Sequence, residues 1–266
     1  MSNAARDEIN AGQRFAFGDN WQSFLDLVDD ERIQAAEASL ADKLGDIDGL
    51  RFVDVGSGSG LFSLAARNLG AQVVSFDFDP QSVACTSELR RRYRPDDDGW
   101  RVEQGSALDE DYLKSLGKFD VVYSWGVLHH TGDMWRALDL VGQMTESGGR
   151  LLIAIYNDQG SISHMWRVVK HTYVRSGPRG KAVVLGTVGR FLNVRGQFVD
   201  LVKRQPVSLR RGMDRQRDIV DWVGGWPFEV TTPERIVSLY RERGFTVERT
   251  WTVGRRMGNN EFLFHS

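Results

Sequence analysis

One cysteine, Cys85, is the only thiol in this chain of 266 residues. That excludes an internal disulfide framework and fits a reducing, cytoplasmic setting. Cys85 falls within a helical pattern and reads as a packing residue. No run of 18 uncharged apolar residues occurs, which excludes a membrane-spanning helix. The opening residues, Met1-Ser-Asn-Ala-Ala-Arg-Asp-Glu8, hold no basic segment followed by an apolar one, so no signal peptide is expected. His-x-x-x-His and Cys-x-x-Cys spacings are missing, and metal-free chemistry is therefore expected. Internal repeats and low-complexity segments are absent as well.

What is present is a globular balance, with 41% hydrophobic and 26% charged residues. The net charge of −2 hides an asymmetry. Residues 161–217 carry thirteen Lys or Arg against only Asp200 and Asp214, a surplus of +11, so the remainder carries −13. Such a block is a statement about partners. It suits an anionic or amphiphilic small-molecule substrate, or peripheral contact with an anionic membrane through 161–217. Nucleic acid is the less favoured partner, because the chain as a whole is acidic. Oligomeric state is left open.

The chain is organised around Arg51-Phe-Val-Asp-Val-Gly-Ser-Gly-Ser-Gly60. An apolar strand runs into three glycines, and Leu61–Leu69 follows with helical spacing, the parts of a nucleotide-binding βαβ unit. A dinucleotide site wants Gly-x-Gly-x-x-Gly, whereas the glycines here are Gly56, Gly58 and Gly60. Asp54 beside the turn would repel phosphate but suits an amine or sulfonium cation, which points to S-adenosylmethionine. A nicotinamide dehydrogenase is disfavoured on the same grounds.

Strands and helices alternate from there. Strands are expected at Phe52–Val55, Gln72–Phe76, Arg101–Gln104, Phe119–Ser124 and Arg150–Tyr156. Helices are expected at Leu61–Leu69, Gln81–Tyr93, Ala107–Leu116 and Met134–Thr145, after one or two helices over Asn20–Leu44 capped by Asp19 or Asn20. Continuous apolar strands such as Leu151–Ile155 belong to a parallel sheet covered on both faces. The expected fold is a doubly wound α/β sheet. In the basic block, Ile162, Trp166, Val169 and Tyr173 share a helical face, and Val184, Val188, Phe191, Leu192, Val199 and Val202 form a second amphipathic stretch. Residues 206–229 read as loop. A helix restarts at Thr232-Pro-Glu, and Phe245–Val253 and Glu261–Phe264 form a terminal antiparallel pair. Three parts result: an N-terminal helical lid (1–49), a core (50–156 and 231–266), and a basic helical insertion with a cap loop (157–230).

In an open α/β sheet the ligand lies beyond the carboxyl ends of the strands. Asp77, 21 residues after Gly56, is placed to accept hydrogen bonds from ribose hydroxyls, with Phe78 beside it for the adenine face. Asp79 reads as a helix cap. Strand three leads into Ser106-Ala107, strand four into Trp125-Gly-Val-Leu-His129-His130, and strand five into Tyr156-Asn157-Asp158.

These motifs, Val53–Gly60, Ser75–Pro80, Phe119–His130 and Gly148–Ile153, resemble those of class I S-adenosylmethionine-dependent methyltransferases, over roughly 50–156 and 231–264. The small-molecule branch typified by the O-methyltransferases of ubiquinone biosynthesis is the most similar. The resemblance implies a seven-stranded, mostly parallel sheet whose last strand is antiparallel, with a helical insertion after strand five. It implies cofactor contacts at Asp54, Gly56, Ser57, Gly58, Asp77, Phe78, Ser106, Ala107 and Trp125, and S-adenosylhomocysteine as product. Ser106 stands where the family often has an acidic residue for the adenine amino group.

Methyl transfer is an in-line displacement that needs alignment, exclusion of water and, for an oxygen nucleophile, a base. Candidate catalytic residues are His129, His130 and Tyr156, with His129 preferred as base for its place directly after the strand-four loop; Asp133 and His164 are further base candidates. Asn157, His164, Trp166, Asp221 and Trp226 are candidate substrate contacts. Phe17–Trp21, Tyr156–Gly160 and the Trp-rich segment Arg217–Glu229 are expected to converge over the methyl group, bringing Trp21 to the cofactor and adding Asp218 and Glu229 as polar candidates. The expected activity is methyl transfer to a small or lipid-linked acceptor at oxygen. An RNA methyltransferase and a non-catalytic S-adenosylmethionine-binding protein are the alternatives.

Overall fold

A computed structural model describes residues 7–9, 11–16, 25, 28–190 and 215–266, with only the backbone at 189, 215–218 and 221. Phe17–Trp21, the cap expected at Asp19 or Asn20, and the stretch from Phe191 to Asp214 lie outside the described residues.

Helix α1 (Asp30–Leu44) begins at Asp29, whose carboxylate accepts from the Arg32 amide, and buries Ile33, Ala36, Leu40 and Leu44. Then come β1 (Arg51–Val55), α2 (Leu61–Asn68), β2 (Gln72–Asp77), α3 (Pro80–Tyr93), β3 (Trp100–Gln104), α4 (Glu110–Leu116) and β4 (Phe119–Trp125). A 3₁₀ turn at Leu128–His130 leads to α5 (Met134–Gly142) and β5 (Thr145–Tyr156). The insertion contributes α6 (Ser161–Arg175), α7 (Pro178–Val184) with a π turn at Leu185–Gly189, and α8 (Arg215–Gly224). Helix α9 (Pro233–Glu242), β6 (Thr246–Trp251) and β7 (Asn259–His265) complete the fold.

The seven strands lie in the order β3-β2-β1-β4-β5-β7-β6. The first five are parallel, and β7 pairs antiparallel with both β5 and β6. Strand order reverses between β1 and β4, so their carboxyl ends open a crevice there. One sheet face packs against α4, α5 and α9 around Phe119, Leu138, Ile153, Tyr240 and Phe264. The other packs against α1, α2 and α3 around Leu40, Phe52, Leu64, Leu89 and Trp100. Cys85 is a buried, free thiol on that second side.

The structure corrects four expectations. Helix α4 starts at Glu110, not Ala107, because the Asp109 carboxylate caps it through the Tyr112 amide. Helix α5 stops at Gly142, and Thr145 already pairs with Phe119 across a bulge that lengthens β5. Residues 217–224 are helical within α8, which packs Trp222 and Val223 against Tyr173 and Val174. On α6 the buried face is Ser163, Trp166, Lys170, Tyr173 and Val174, while Ile162 is exposed. A lysine belongs to the apolar stripe.

Candidate active site

The glycine turn is shaped by the chain's own contacts. Gly56 has φ +82°, and a Cβ there would meet the Val127 side chain at 2.4 Å. Backbone and neighbour both demand glycine. Ser57, expected at the cofactor, directs its hydroxyl to Thr86 Oγ1 at 2.9 Å, and Thr86 also reaches the Gly58 carbonyl. Its side chain therefore anchors the turn to α3. Gly58 donates its amide to Asp77 Oδ2 at 3.0 Å, and Asp79 donates to Oδ1 at 2.9 Å. Asp79 itself caps α3 through the Gln81 amide.

Asp54 is buried in β1, and its Oδ2 accepts from Ser63 Oγ at 2.5 Å. Ser75 Oγ donates to Ser63 Oγ at 2.7 Å, and Trp100 Nε1 donates to Ser75 Oγ at 2.8 Å. Burial, opposed by the Ser63 hydrogen bond and reinforced by the Asp77 charge, pushes Asp54 up to about 7. Burial likewise pushes Asp77 up to about 6, against the two amide hydrogen bonds that favour its charge. Two carboxylates with pKa values raised by burial thus flank the turn.

Phe78 carries the Arg14 guanidinium 4.7 Å above its ring centroid. Arg14 also donates to the His130 and Thr131 carbonyls and pairs with Glu8. The neighbouring Phe15 amide bonds the Trp226 carbonyl at 2.9 Å, and its ring lies against Gly224 and Tyr173. The N-terminal segment therefore bridges the β2 end and the α8 region. Ser106 Oγ accepts from the Leu108 amide in a tight turn, while Ala107 and Trp125 pack their side chains against the two apolar layers.

Beyond β4 and β5 lies a cluster of rings. His129 and His130 are both buried, 4.4 Å apart between centroids, and Tyr156 lies 3.8 Å from His129 and 5.3 Å from His130. Trp222 and Phe228 close on Tyr156 at 5.1 and 5.5 Å, and Trp166 stands behind Trp222. The two histidines have opposite tautomers by their hydrogen-bond partners. His130 Nδ1 lies 2.6 Å from the Pro227 carbonyl, so it carries the proton and Nε2 the lone pair. His129 Nδ1 accepts from the Tyr156 amide at 3.3 Å, so its proton is on Nε2. Burial, with Lys170 and Arg14 nearby, pushes His130 down to about 3 despite the Pro227 bond, leaving it neutral at ordinary pH.

Several expected substrate contacts also make contacts within the fold. Asn157 donates to the Gly254 and Arg256 carbonyls and accepts from Asn260, so it clamps the β6–β7 turn. His164 is exposed between the buried Ser163 and Trp166. Trp226 is half-buried with its ring against His171. Glu229 accepts from the Met134 amide at the start of α5, and Asp133 caps the same helix. For Asp218 and Asp221 the structure describes the helical backbone of α8 alone.

Two residues escaped the sequence reading. Arg14 has no pattern to mark it. Lys170 lay hidden among thirteen cations, although its spacing of four from Trp166 and three from Tyr173 placed it on the buried stripe. Lys170 is fully buried, and its Nζ donates to the Trp222 carbonyl. The same Nζ lies 4.3, 4.8 and 5.8 Å from the ring centroids of Trp222, Phe228 and Tyr156.

Residues 53–151 match the family model described as a methyltransferase domain. A ubiquinone biosynthesis O-methyltransferase of Azorhizobium caulinodans is 28% identical over 117 residues, 44% of each chain. The chain thus spans less than half the length of the first curated relatives it matches. Among solved structures, the magnesium protoporphyrin IX methyltransferase of Synechocystis with bound S-adenosylhomocysteine aligns at TM-score 0.53 and 16% identity, covering 100% of this chain and 88% of that one. A putative methyltransferase of Haloferax volcanii, in complex with its Trm112 activator, aligns at 0.57 and 15% identity over 95% and 98%. At these identities the structural likeness establishes the fold.

Proposed function

We propose that this chain, which carries a class I S-adenosylmethionine-dependent methyltransferase domain, moves a methyl group from S-adenosylmethionine to an oxygen of a small or lipid-linked acceptor. One observation carries the reading: Asp54 and Asp77 flank the positive-φ glycine turn at the point where strand order reverses. Carboxylates there suit a ligand with an ammonium group and two ribose hydroxyls, and they oppose a pyrophosphate. When bound, the cofactor supplies an electrophilic methyl group. The protein aligns the acceptor, excludes water with the Tyr156–Trp222–Phe228 rings, and accepts the proton of the acceptor hydroxyl at His130 Nε2. The preference for His129 as base yields to His130, because the His129 Nδ1 lone pair is engaged by the Tyr156 amide.

The three-part organisation belongs to the same reading, with 1–49 and 157–230 covering a core of 50–156 and 231–266. Arg14 and Phe15 support it by their contacts with both the β2 end and α8. The outer face of the insertion supports contact with an anionic membrane. Ile162, Met165 and Val168 on α6 and Val183 on α7 are exposed, and Arg167, Arg175 and Arg179 accompany them.

Thermal unfolding with millimolar S-adenosylhomocysteine tests the central reading. A ligand at about 100 times its Kd adds about 2.7 kcal/mol, a shift of several degrees in a chain of this size. Nicotinamide dinucleotide should give no shift. Stabilisation by the dinucleotide instead, or by neither ligand, would refute the proposal.

A further inference from the structure

Asn259 and Asn260 open β7 side by side, and both are buried. Asn260 has its amide satisfied at both ends: Oδ1 accepts from the Val253 amide and Nδ2 donates to Asn157 Oδ1, each at 3.0 Å. Asn259 does not. Its Oδ1 is buried and has no hydrogen-bond partner among the described residues. A carbonyl oxygen taken out of water and left unpaired weakens the fold. The strand itself does not call for asparagine, since valine or threonine suits a pleated, half-buried position better.

The surroundings of Asn259 are those of the site. Register sets it opposite Tyr156, the last residue of β5, and directly opposed residues of an antiparallel pair share a sheet face. Its Nδ2 lies 3.7 Å from where a Cβ on Gly126 would stand, and Gly126 is the first residue after β4. The next residue, Val127, is the one packed on Gly56 of the glycine turn. The Asn259 amide therefore lies between the loop that covers the turn and the strand end that carries Tyr156. Trp222, whose ring is 5.1 Å from that of Tyr156, likewise buries an Nε1–H with no partner among the described residues. The carboxylates suited to the cofactor stand on β1 and β2, with β4 and β5 between them and β7.

We propose that Asn259 is a specificity-determining residue of the acceptor site: its Oδ1 accepts a hydrogen bond from a hydroxyl of the acceptor and so selects a hydroxyl-bearing molecule over an ether of the same shape. The proposal rests on the methyl-transfer reading. A ligand hydroxyl completes an amide that is unpaired in the empty site, whereas an ether fills the space and leaves Oδ1 without a donor. Sites built around a buried polar group discriminate in this way, because the wrong ligand keeps the desolvation cost and returns no bond.

Two measurements test it on the full chain. The first needs no ligand and compares thermal unfolding of wild type, Asn259→Ala and Asn260→Ala. Removing an amide that bonds nothing should lower the Asn259→Ala midpoint by less than about 4 °C, or raise it. Asn260→Ala breaks two buried hydrogen bonds and should fall further or fail to fold. A drop of about 4 °C or more in Asn259→Ala marks an amide that the fold itself needs, and overturns the proposal.

The second saturates wild type and Asn259→Ala with S-adenosylhomocysteine and titrates each with phenol and with anisole, followed by ¹H–¹⁵N spectra. Anisole is the more apolar probe, so a ring box alone would favour it. The wild type should instead bind phenol about three- to tenfold more tightly, the worth of one hydrogen bond. Asn259→Ala should lose that preference while its affinity for S-adenosylhomocysteine stays within about twofold. Absence of phenol binding, no preference in the wild type, a preference that survives in Asn259→Ala, or a larger loss of S-adenosylhomocysteine affinity there each overturns the proposal. Failure of the wild type to bind S-adenosylhomocysteine would instead sink the methyl-transfer reading itself, so the two failures are distinct.

Discussion

The backbone amide of Tyr156 points at His129 Nδ1 from 3.3 Å, and the Tyr156 ring lies 3.8 Å from the same imidazole. The last residue of β5 thus fixes both the tautomer and the plane of a histidine on the β4 loop. His130, next in sequence, is fixed by the carbonyl of Pro227 instead. Two adjacent histidines receive different protons from partners far along the chain, and only one keeps its lone pair at Nε2.

Replacing these histidines should separate their roles. His130→Gln removes the proton acceptor and should reduce methyl transfer by about 10²- to 10⁴-fold, with affinity for S-adenosylhomocysteine within about twofold of wild type. His129→Gln should cost about tenfold or less. The comparison needs single-turnover rates and calorimetric binding on each variant; a larger loss at His129 would reverse the assignment.

Asp54→Asn should weaken S-adenosylhomocysteine binding by about tenfold or more, the worth of one charge-assisted hydrogen bond. The ligand-free protein should respond in the opposite sense. Asp54 titrates at about 7 when folded and near 3.8 when unfolded, so the folded state holds the extra proton between those values. Its contribution to stability is fully present below about pH 4 and is lost as pH rises through 7. Asp77, raised to about 6, acts in the same direction. His130, lowered to about 3 from 6.5, opposes them by removing stability as pH falls below 6.5. Asp54→Asn should therefore melt above wild type at pH 8 without ligand. Melting curves at pH 6 and 8, with and without ligand, decide it.

Proton release on binding follows from the same values. An ammonium ligand selects the ionised form of Asp54, so binding near pH 7 should release a fraction of a proton. Calorimetry in two buffers of different ionisation enthalpy measures this. The release should vanish in Asp54→Asn.

Asn157→Ala removes one acceptor and two donor contacts of a buried amide and leaves its partner Asn260, itself buried, without that bond. A loss of about 2–4 kcal/mol in urea unfolding is expected. Cofactor affinity should stay within about threefold, because the clamp serves the β6–β7 turn. A large binding defect in a stable Asn157→Ala protein would restore it to the ligand site.

Ile162, Met165 and Val168 offer a test of the membrane contact. Replacing all three by serine should leave melting and S-adenosylhomocysteine binding unchanged while abolishing co-sedimentation with anionic vesicles at low salt. Wild-type protein that stays in the supernatant would rule the contact out.

The sheet and its helices were legible because each element repeats its own period. Alternate glycines after Val55, the Asp79-Pro80 start of α3 and the apolar run Leu151–Ile155 are local signals with local causes. Helix α8 was hidden because its hydrophobic side is short: Trp222 and Val223 gain their burial from Tyr173 and Val174, some fifty residues earlier. The clamp made by Asn157 was not legible because an amide at a strand end looks the same whether it faces a ligand or holds a turn. The hydrogen-bond partner that sets His130 apart from His129 could not be read locally, since Pro227 lies 97 residues from His130. Burial of Lys170 was readable from its spacing; its ring box was not.

The hydroxyl chain behind Asp54 has a polarity of its own. An indole N–H only donates; Ser75 accepts from Trp100 and donates to Ser63, which donates to Asp54 Oδ2. Reversing the Ser63–Ser75 link would keep the tryptophan satisfied but take the Ser63 hydrogen away from Asp54. With the chain running this way Oδ2 accepts from Ser63, which leaves Oδ1 as the oxygen free of that bond. A tryptophan at the first residue of β3 is thereby joined, through two serines, to one particular oxygen of the β1 carboxylate.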